Sequence, residues 1–301
     1  MKIIVTGGAG FIGKHLVEFL IKKKISVTIF DNFSNSKKDS ITNLKNHGVK
    51  IIEGDITKIN DINNAVKNHD VVIHLAAKIS VEESIENPTK TFQTNVDGTK
   101  NVLIACEKNN IKKIIVSSSA AVYGESEADI KLTEKSKINP ISPYGESKAM
   151  MENEIKIFEE NHDVNYVILR FFNIYGIGQS PEYAGVITKF VKKIELNKSL
   201  EIFGDGMQTR DFISINDVID SIYHSIENGK NQIYNIASGK TITIKELAEL
   251  MISLSKRDLK IIYNDIKKGD IKFSQADISL AKKELDYLPK GSVEGIKNLL
   301  N

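Results

Sequence analysis

This chain of 301 residues has one cysteine, three arginines and no histidine or cysteine pair at metal-ligand spacing, and each shortage closes off a class of function. With Cys106 alone, no disulfide can form within the chain. The thiol lies in the apolar-periodic stretch NVLIACEKNN and reads as a small buried hydrophobe rather than a nucleophile. His15, His47, His69, His74, His162 and His224 are scattered, with no His-Glu-x-x-His helix, so no metal site is expected. His74, at the end of the apolar run DVVIHLAA, reads as structural. The 41 basic and 39 acidic residues leave a net charge of +2, too little for a nucleic acid or a membrane surface to be an expected partner. No apolar run approaches the roughly 18 residues of a membrane span. MKIIVTGG runs straight into a strand and a glycine turn, and the expectation is a cytoplasmic protein.

What is present is an alternation. KIIV, SVTIF, VKII, DVVIHLAA, KKIIVSSS and NYVILRFF are continuous β-branched runs separated by helical patterns such as FIGKHLVEFLIKKK. Buried strands that alternate with helices predict an α/β fold, a doubly wound parallel sheet covered on both faces. From about Asn173 the rhythm breaks into short strands (LEIF, TRDFI) and helices (VIDSIYHSIENG, ELAELMISLSK), with QIYNIA expected to return to the main sheet. The domains expected are residues 1–172 with 213–237 for a dinucleotide, and a smaller mixed α/β part, 173–212 with 238–301, for substrate. DNFSNSKKDS and ESEADIKLTEKSKINP read as exposed loops.

TGGAGFIG places Gly7, Gly10 and Gly13 between the first strand and the first helix. Gly7 and Gly10 suit a tight turn and close approach of a pyrophosphate, and Gly13 suits close packing of helix and sheet. Asp31 closes the second strand, where a carboxylate accepts from both adenosine ribose hydroxyls and repels a 2′-phosphate, favouring NAD over NADP. Asp55, in EGDIT, follows the third strand and is expected to contact the adenine.

SPYGESKAMMENEI sets Tyr144 and Lys148 at i,i+4 on one helix face. A phenol with an ordinary pKa of about 10 is a poor base near neutrality, but an adjacent ammonium and a positively charged nicotinamide both favour the phenolate. With these stretches in view, the chain resembles the extended short-chain dehydrogenase/reductases that act on nucleotide sugars, and is most similar to UDP-glucose 4-epimerases and their relatives. The likeness runs through TGGAGFIG, DNFSNS, GDIT, HLAA, NVDGT, SSSAAVYG, YGESK, RFFNIYG, FGDGMQTRDFI and KKGDIKFSQADI. It implies a Rossmann domain holding NAD, a C-terminal part holding the UDP-sugar, and a homodimer formed through helices around residues 92–108 and 146–160.

Position by position, the resemblance implies that Ser119 and Tyr144 contact the sugar's 4-hydroxyl and that Lys148 holds the nicotinamide ribose. Cofactor contacts implied are Gly7, Gly10, Phe11, Ile12 and Gly13 at the turn, and Asp31, Asn32, Asn35 and Ser36 after the second strand. Further along come Asp55 and Ile56, then Leu75, Ala76 and Ala77, then Asn95, Ser117, Tyr144, Lys148 and Phe172. For substrate it implies Ser119, Tyr144, Asn173, Phe203, Arg210, Lys267, Asp270 and Ser274, with Asn173 and Arg210 on the diphosphate. A guanidinium suits bidentate phosphate recognition, and Arg210 is one of only three in a lysine-rich chain. Two places depart from the family pattern. Many relatives carry Arg-Pro-Gly-Asp where this chain has Lys267, Lys268, Gly269 and Asp270, which keeps charge and loses the fork geometry. Ser274 stands where some relatives have a tyrosine beside the sugar, leaving room for a 2-acetamido group.

In SSSAAVYG, Ala120 and Ala121 occupy positions where nucleotide-sugar 4,6-dehydratases carry an Asp-Glu pair that moves protons. Alanines cannot do so. The expectation is therefore an NAD-dependent 4-epimerase working through a 4-keto sugar, on UDP-glucose and UDP-galactose and by extension on UDP-GlcNAc and UDP-GalNAc. The alternatives are a UDP-glucuronate 4-epimerase, a nucleotide-sugar dehydratase with acids elsewhere, and a non-catalytic NAD-binding regulator, against which the intact Tyr144–Lys148 pair argues.

Overall fold

The computed structural model describes residues 1–180, 185–266, 271–290 and 292–300. In chain order its strands are β1 (Lys2–Thr6), β2 (Ser26–Asp31), β3 (Lys50–Glu53), β4 (Val71–His74), β5 (Lys113–Ser119), β6 (Asn165–Phe171) and β7 (Asn173–Tyr175). β8 (Leu200–Phe203), β9 (Thr209–Ser214), β10 (Gln232–Ile236), β11 (Thr241–Thr243) and β12 (Ile261–Asn264) follow. The main sheet runs β10-β6-β5-β4-β1-β2-β3 with every neighbouring pair parallel.

Side-chain alternation builds two cores from these strands. Ile3 and Val5 of β1 enter one with Leu16, Leu20 and Ile219, while Ile4 between them enters the other with Phe30, Val102 and Ile155. Strands apolar on both faces are the reason the runs read as continuous. The strand order reverses between β1 and β4, so the crevice beyond their C-terminal ends is the topological switch point of the sheet.

QIYNIA returns to the sheet as β10, beside β6. TRDFI and LEIF form β9 and β8, which lie outside it in the groups β11-β9-β7 and β12-β8. A third core of Tyr175, Phe190, Leu200, Phe212 and Leu247 serves this smaller part. Among the described residues, no helix is long and apolar enough to cross a membrane.

Three expectations change. The polar stretch ESEADIKLTEKSKINP is not wholly a solvated loop: Leu132 is buried, its N–H donates to Gln275 O at 2.8 Å, and its carbonyl accepts from Asp277 N at 2.8 Å. DNFSNSKKDS leads into a short helical turn, Lys38–Ile41, that buries Ile41. The helix expected around 92–108 contains a π-helical turn, Gln93–Asp97, before Gly98–Lys108, and this turn carries the buried Asn95.

Candidate active site

Glycine is required at two places after β1. Gly7 has φ of 69°, and a Cβ there would lie 2.7 Å from Ala76 N. At Gly13 a Cβ would meet the Gly7 carbonyl oxygen and come within 2.6 Å of Gly8 Cα. Gly13 therefore lets the helix pack against the residues that directly follow β1. Gly10 begins the helix Phe11–Lys22 without a side-chain cap, so the first-turn N–H groups of Phe11, Ile12 and Gly13 stand at the switch point with the positive end of the helix dipole. A glycine-only turn and an uncapped helix N-terminus fit a dinucleotide pyrophosphate.

Across the crevice, Leu75 N donates to Thr6 O at 3.0 Å and Ala76 N to Thr6 Oγ1 at 3.3 Å; Ala77 follows. Asp31 is tied to the glycine turn: one carboxylate oxygen accepts from Ala9 N at 2.9 Å, the other from Phe33 N at 2.8 Å. Burial pushes its pKa up, against the lowering effect of Phe33, Ala9 and Ser36. Asp55 accepts from Asn32 Nδ2 at 3.0 Å and from Thr57 N and Oγ1 at 2.9 and 2.7 Å. Partial burial raises the Asp55 pKa, but these bonds outweigh it and hold the carboxyl below its ordinary value. Ile56 is buried behind it, Asn35 is exposed, and Phe172 lies in the main core near Tyr123.

The helix Pro143–Asn161 starts because Ser142 accepts from Gly145 N at 3.1 Å and Pro143 presets the first turn. The Tyr144 main chain is held at both ends: its N–H donates to Ser84 Oγ at 3.1 Å and its carbonyl accepts from Ser147 Oγ at 2.7 Å. Gly145 rests on Ala121, where a Cβ would come 2.5 Å from the carbonyl oxygen. Burial raises the Tyr144 pKa, and a hydrogen bond with the Ser119 hydroxyl lowers it. Lys148, only 3 % exposed, donates to Ser117 O at 2.9 Å. Burial pulls its pKa down to about 8, with the Glu152 charge acting the other way. The ammonium expected to act on the phenol is thus committed to the end of β5, and Ser119 is the group that lowers the phenol.

Sequence reasoning missed the network beneath these residues. Ser118 Oγ donates to Glu152 Oε1 at 2.5 Å, and Arg170 forks onto the same carboxylate through Nε at 2.9 Å and Nη2 at 2.6 Å. Arg170 Nη1 donates to Tyr123 OH at 2.8 Å, which donates to Asn235 Oδ1 at 2.6 Å. The available signal was a glutamate at i+4 from Lys148 and a charged residue inside the apolar run of β6, opposite Ser118. Asn95, expected beside the cofactor, is buried in hydrogen bonds of its own. Its Oδ1 accepts from Lys78 N at 2.8 Å, and its Nδ2 donates to Lys78 O and Ser147 Oγ, both at 2.9 Å, so it braces the loop after β4 to the Tyr144 helix. His74 is structural: its ring contacts Thr6 Oγ1 at 2.7 Å and Thr99 Oγ1 at 3.0 Å, and burial, reinforced by the Lys148 charge, lowers its pKa to about 3. Burial likewise pushes the Cys106 thiol up, away from nucleophilic use.

On the substrate side, Asn173 begins β7 and donates to Asp211 O at 3.0 Å. Arg210 is half-buried on β9, with Nη1 donating to Thr209 O at 2.8 Å. Phe203 ends β8, its carbonyl accepting from Gln208 Nε2 at 2.8 Å. Ser274 is buried at a cleft shared with Thr209, Thr241 and Phe273. Lys267 and Asp270 lie outside the described residues. The other arginine, Arg257, bonds the Ile194 and Glu195 carbonyls at the end of the helix Val186–Glu195.

Residues 3–237 match the model of the NAD dependent epimerase/dehydratase family. The solved UDP-glucose 4-epimerase of Thermotoga maritima, with UDP-glucose, superposes with a TM-score of 0.95 at 33 % identity, covering 100 % of this chain and 97 % of that one. UDP-N-acetylglucosamine 4-epimerase from Methanobrevibacter ruminantium, in complex with UDP-N-acetylmuramic acid, gives 0.92 at 39 % identity, with 99 % and 96 % covered. A UDP-glucuronate 4-epimerase of Thermodesulfobacterium geofontis is 32 % identical over 99 % of this chain and 94 % of its own length.

Proposed function

The chain belongs to the NAD-dependent epimerase/dehydratase family, and we propose that it is a UDP-sugar 4-epimerase, interconverting UDP-glucose with UDP-galactose and also their N-acetyl counterparts. One observation carries this reading: Ser119, Tyr144 and Lys148 assemble around the end of β5, while the neighbouring positions are Ala120, packed on the main core, and Ala121, covered by Gly145. The site has a proton-moving phenol and lacks at that place the acid and base that elimination of water requires.

NAD fits the switch point through the glycine turn, the uncapped helix and Asp31, and when bound it takes and returns the hydrogen of sugar carbon 4 as hydride. Tyr144 exchanges the 4-hydroxyl proton, and Ser119 holds that hydroxyl in line with the phenol. Lys148 brings a buried positive charge to the ribose side. Asn173 and Arg210 hold the diphosphate while the 4-keto sugar turns over, so the open chemistry is an inversion with no net redox change. Ser274 supports the N-acetyl substrates through its small side chain, as does the 39 % identity to the UDP-N-acetylglucosamine enzyme.

On this reading residues 1–172 and 213–237 serve NAD, and 173–212 with 238–301 serve the nucleotide sugar. We assign a homodimer through the helices near 92–108 and 146–160, supported by Met150 and Ile157, exposed at i,i+7 on one helix face. The test is a panel of UDP-sugars followed by anomeric-proton NMR. The 4-epimers of UDP-glucose and UDP-GlcNAc are expected. Turnover of UDP-glucuronate alone would replace the substrate, and a 4-keto-6-deoxy product would replace the reaction.

A further inference from the structure

Asp211 is fully buried on β9 and has no part in the roles above. One carboxylate oxygen accepts from Ser238 N at 2.8 Å and Ser238 Oγ at 2.7 Å. The other accepts from Gly239 N at 3.0 Å and Ala276 N at 3.3 Å. Its main-chain carbonyl accepts from Asn173 Nδ2 at 3.0 Å. A single residue thus joins the start of β7, the turn between β10 and β11, and the segment that carries Ser274. Arg210 precedes it directly and pairs with Ile242 of β11, as Asp211 pairs with Thr241.

The chemistry of the cage is specific. Four donors converge on two oxygens, and only an ionised carboxylate accepts from all of them without presenting a hydrogen of its own. Burying that charge is costly unless it is fully hydrogen-bonded, as it is here. Every segment drawn in carries a residue expected at the nucleotide or sugar, or lies beside one.

We propose that Asp211 is a positioning residue for the nucleotide diphosphate: it sets the spacing of Asn173, Arg210 and the Ser274 segment, and thereby controls nucleotide affinity without entering the proton step. The proposal rests on the UDP-sugar reading above.

Asp211→Asn tests it, because the amide keeps the shape but turns N–H groups toward other donors. Loss of one or two hydrogen bonds to the carboxylate is expected to raise the Kd for UDP about tenfold in titration calorimetry. KM for the UDP-sugar should rise in parallel, with kcat within about twofold and NAD content unchanged. If Asp211→Asn does not fold, Ser238→Ala, which removes one donor, is expected to raise the Kd about threefold. A merely structural role would lower Tm and leave the Kd of the folded fraction unchanged; that result, in either variant, overturns the proposal. Binding of UDP needs no turnover. A wild type that binds UDP tightly but epimerises nothing therefore contradicts the epimerase and leaves Asp211 testable, whereas a wild type that does not bind UDP overturns both.

Discussion

Lys148 Nζ donates to the main-chain carbonyl of Ser117 across 2.9 Å, which fastens the helix Pro143–Asn161 to the end of β5. Of the two residues that follow, Ser118 is fastened to Glu152 of the same helix by its side chain, and Ser119 stands where its hydroxyl lowers the Tyr144 pKa. Ser117 and Ser118 therefore set the register between strand and helix, and Gly145, packed on the Ala121 carbonyl, lets the helix approach closely enough for this.

Replacing Tyr144 by Phe keeps the ring and removes the acid–base group. The expected result is a fall in kcat of about 10²–10⁴, the usual contribution of general acid–base catalysis. Thermal melting should show little change. Near-normal turnover would remove Tyr144 from the proton step.

Lys148 carries a cost in stability. Burial lowers its pKa from 10.5 to about 8, so below pH 8 the folded chain carries a charge it holds poorly. The net penalty for the charged form is about 3 kcal/mol. The unfolded chain binds the proton more tightly, so stability from this group rises as pH climbs from 8 towards 10.5. Lys148→Met is expected to raise Tm at neutral pH, to remove that alkaline gain, and to lower kcat by about two orders of magnitude. Melting curves across pH with paired rates check all three.

Acid acts through His74. Its folded pKa of about 3 lies below the ordinary 6.5, so in that window the unfolded chain takes up a proton that the folded chain refuses. Stability from this group is full above pH 6.5 and falls by about 1.4 kcal/mol per pH unit below it. His74→Gln, which keeps a donor and an acceptor, should flatten the dependence of the urea midpoint on pH between about 7 and 5.

The Arg170–Glu152 pair is buried and forked, so breaking it is more costly than the pair is worth. Arg170→Met leaves the carboxylate unpaired and should cost about 3–5 kcal/mol in urea unfolding. Ser118→Ala should cost about 1 kcal/mol. The double variant Arg170→Met with Glu152→Leu should recover most of the loss, and a double variant as unstable as the single one would show that the charge itself is needed.

What could be read from the chain follows from range. β1 to β6 were legible because strands apolar on both faces are unbroken apolar runs, and Tyr144 with Lys148 because i,i+4 spacing is local. The switch point followed from the glycines after β1. Glu152, Arg170 and Asp211 were not legible as partners, since buried polar groups find each other across the fold and each alone looks like an ordinary charged residue. Leu132 was hidden in a polar stretch whose pairing with Gln275 and Asp277 depends on a distant segment.

The central claim is inversion at one carbon without net redox change. The most direct measurement supplies UDP-glucose deuterated at carbon 4 and locates the label in the product by NMR and mass spectrometry. The account predicts UDP-galactose with deuterium retained on carbon 4. Deuterium moved to carbon 6 of a 4-keto-6-deoxy sugar, or product in which solvent hydrogen has replaced it, would contradict the account.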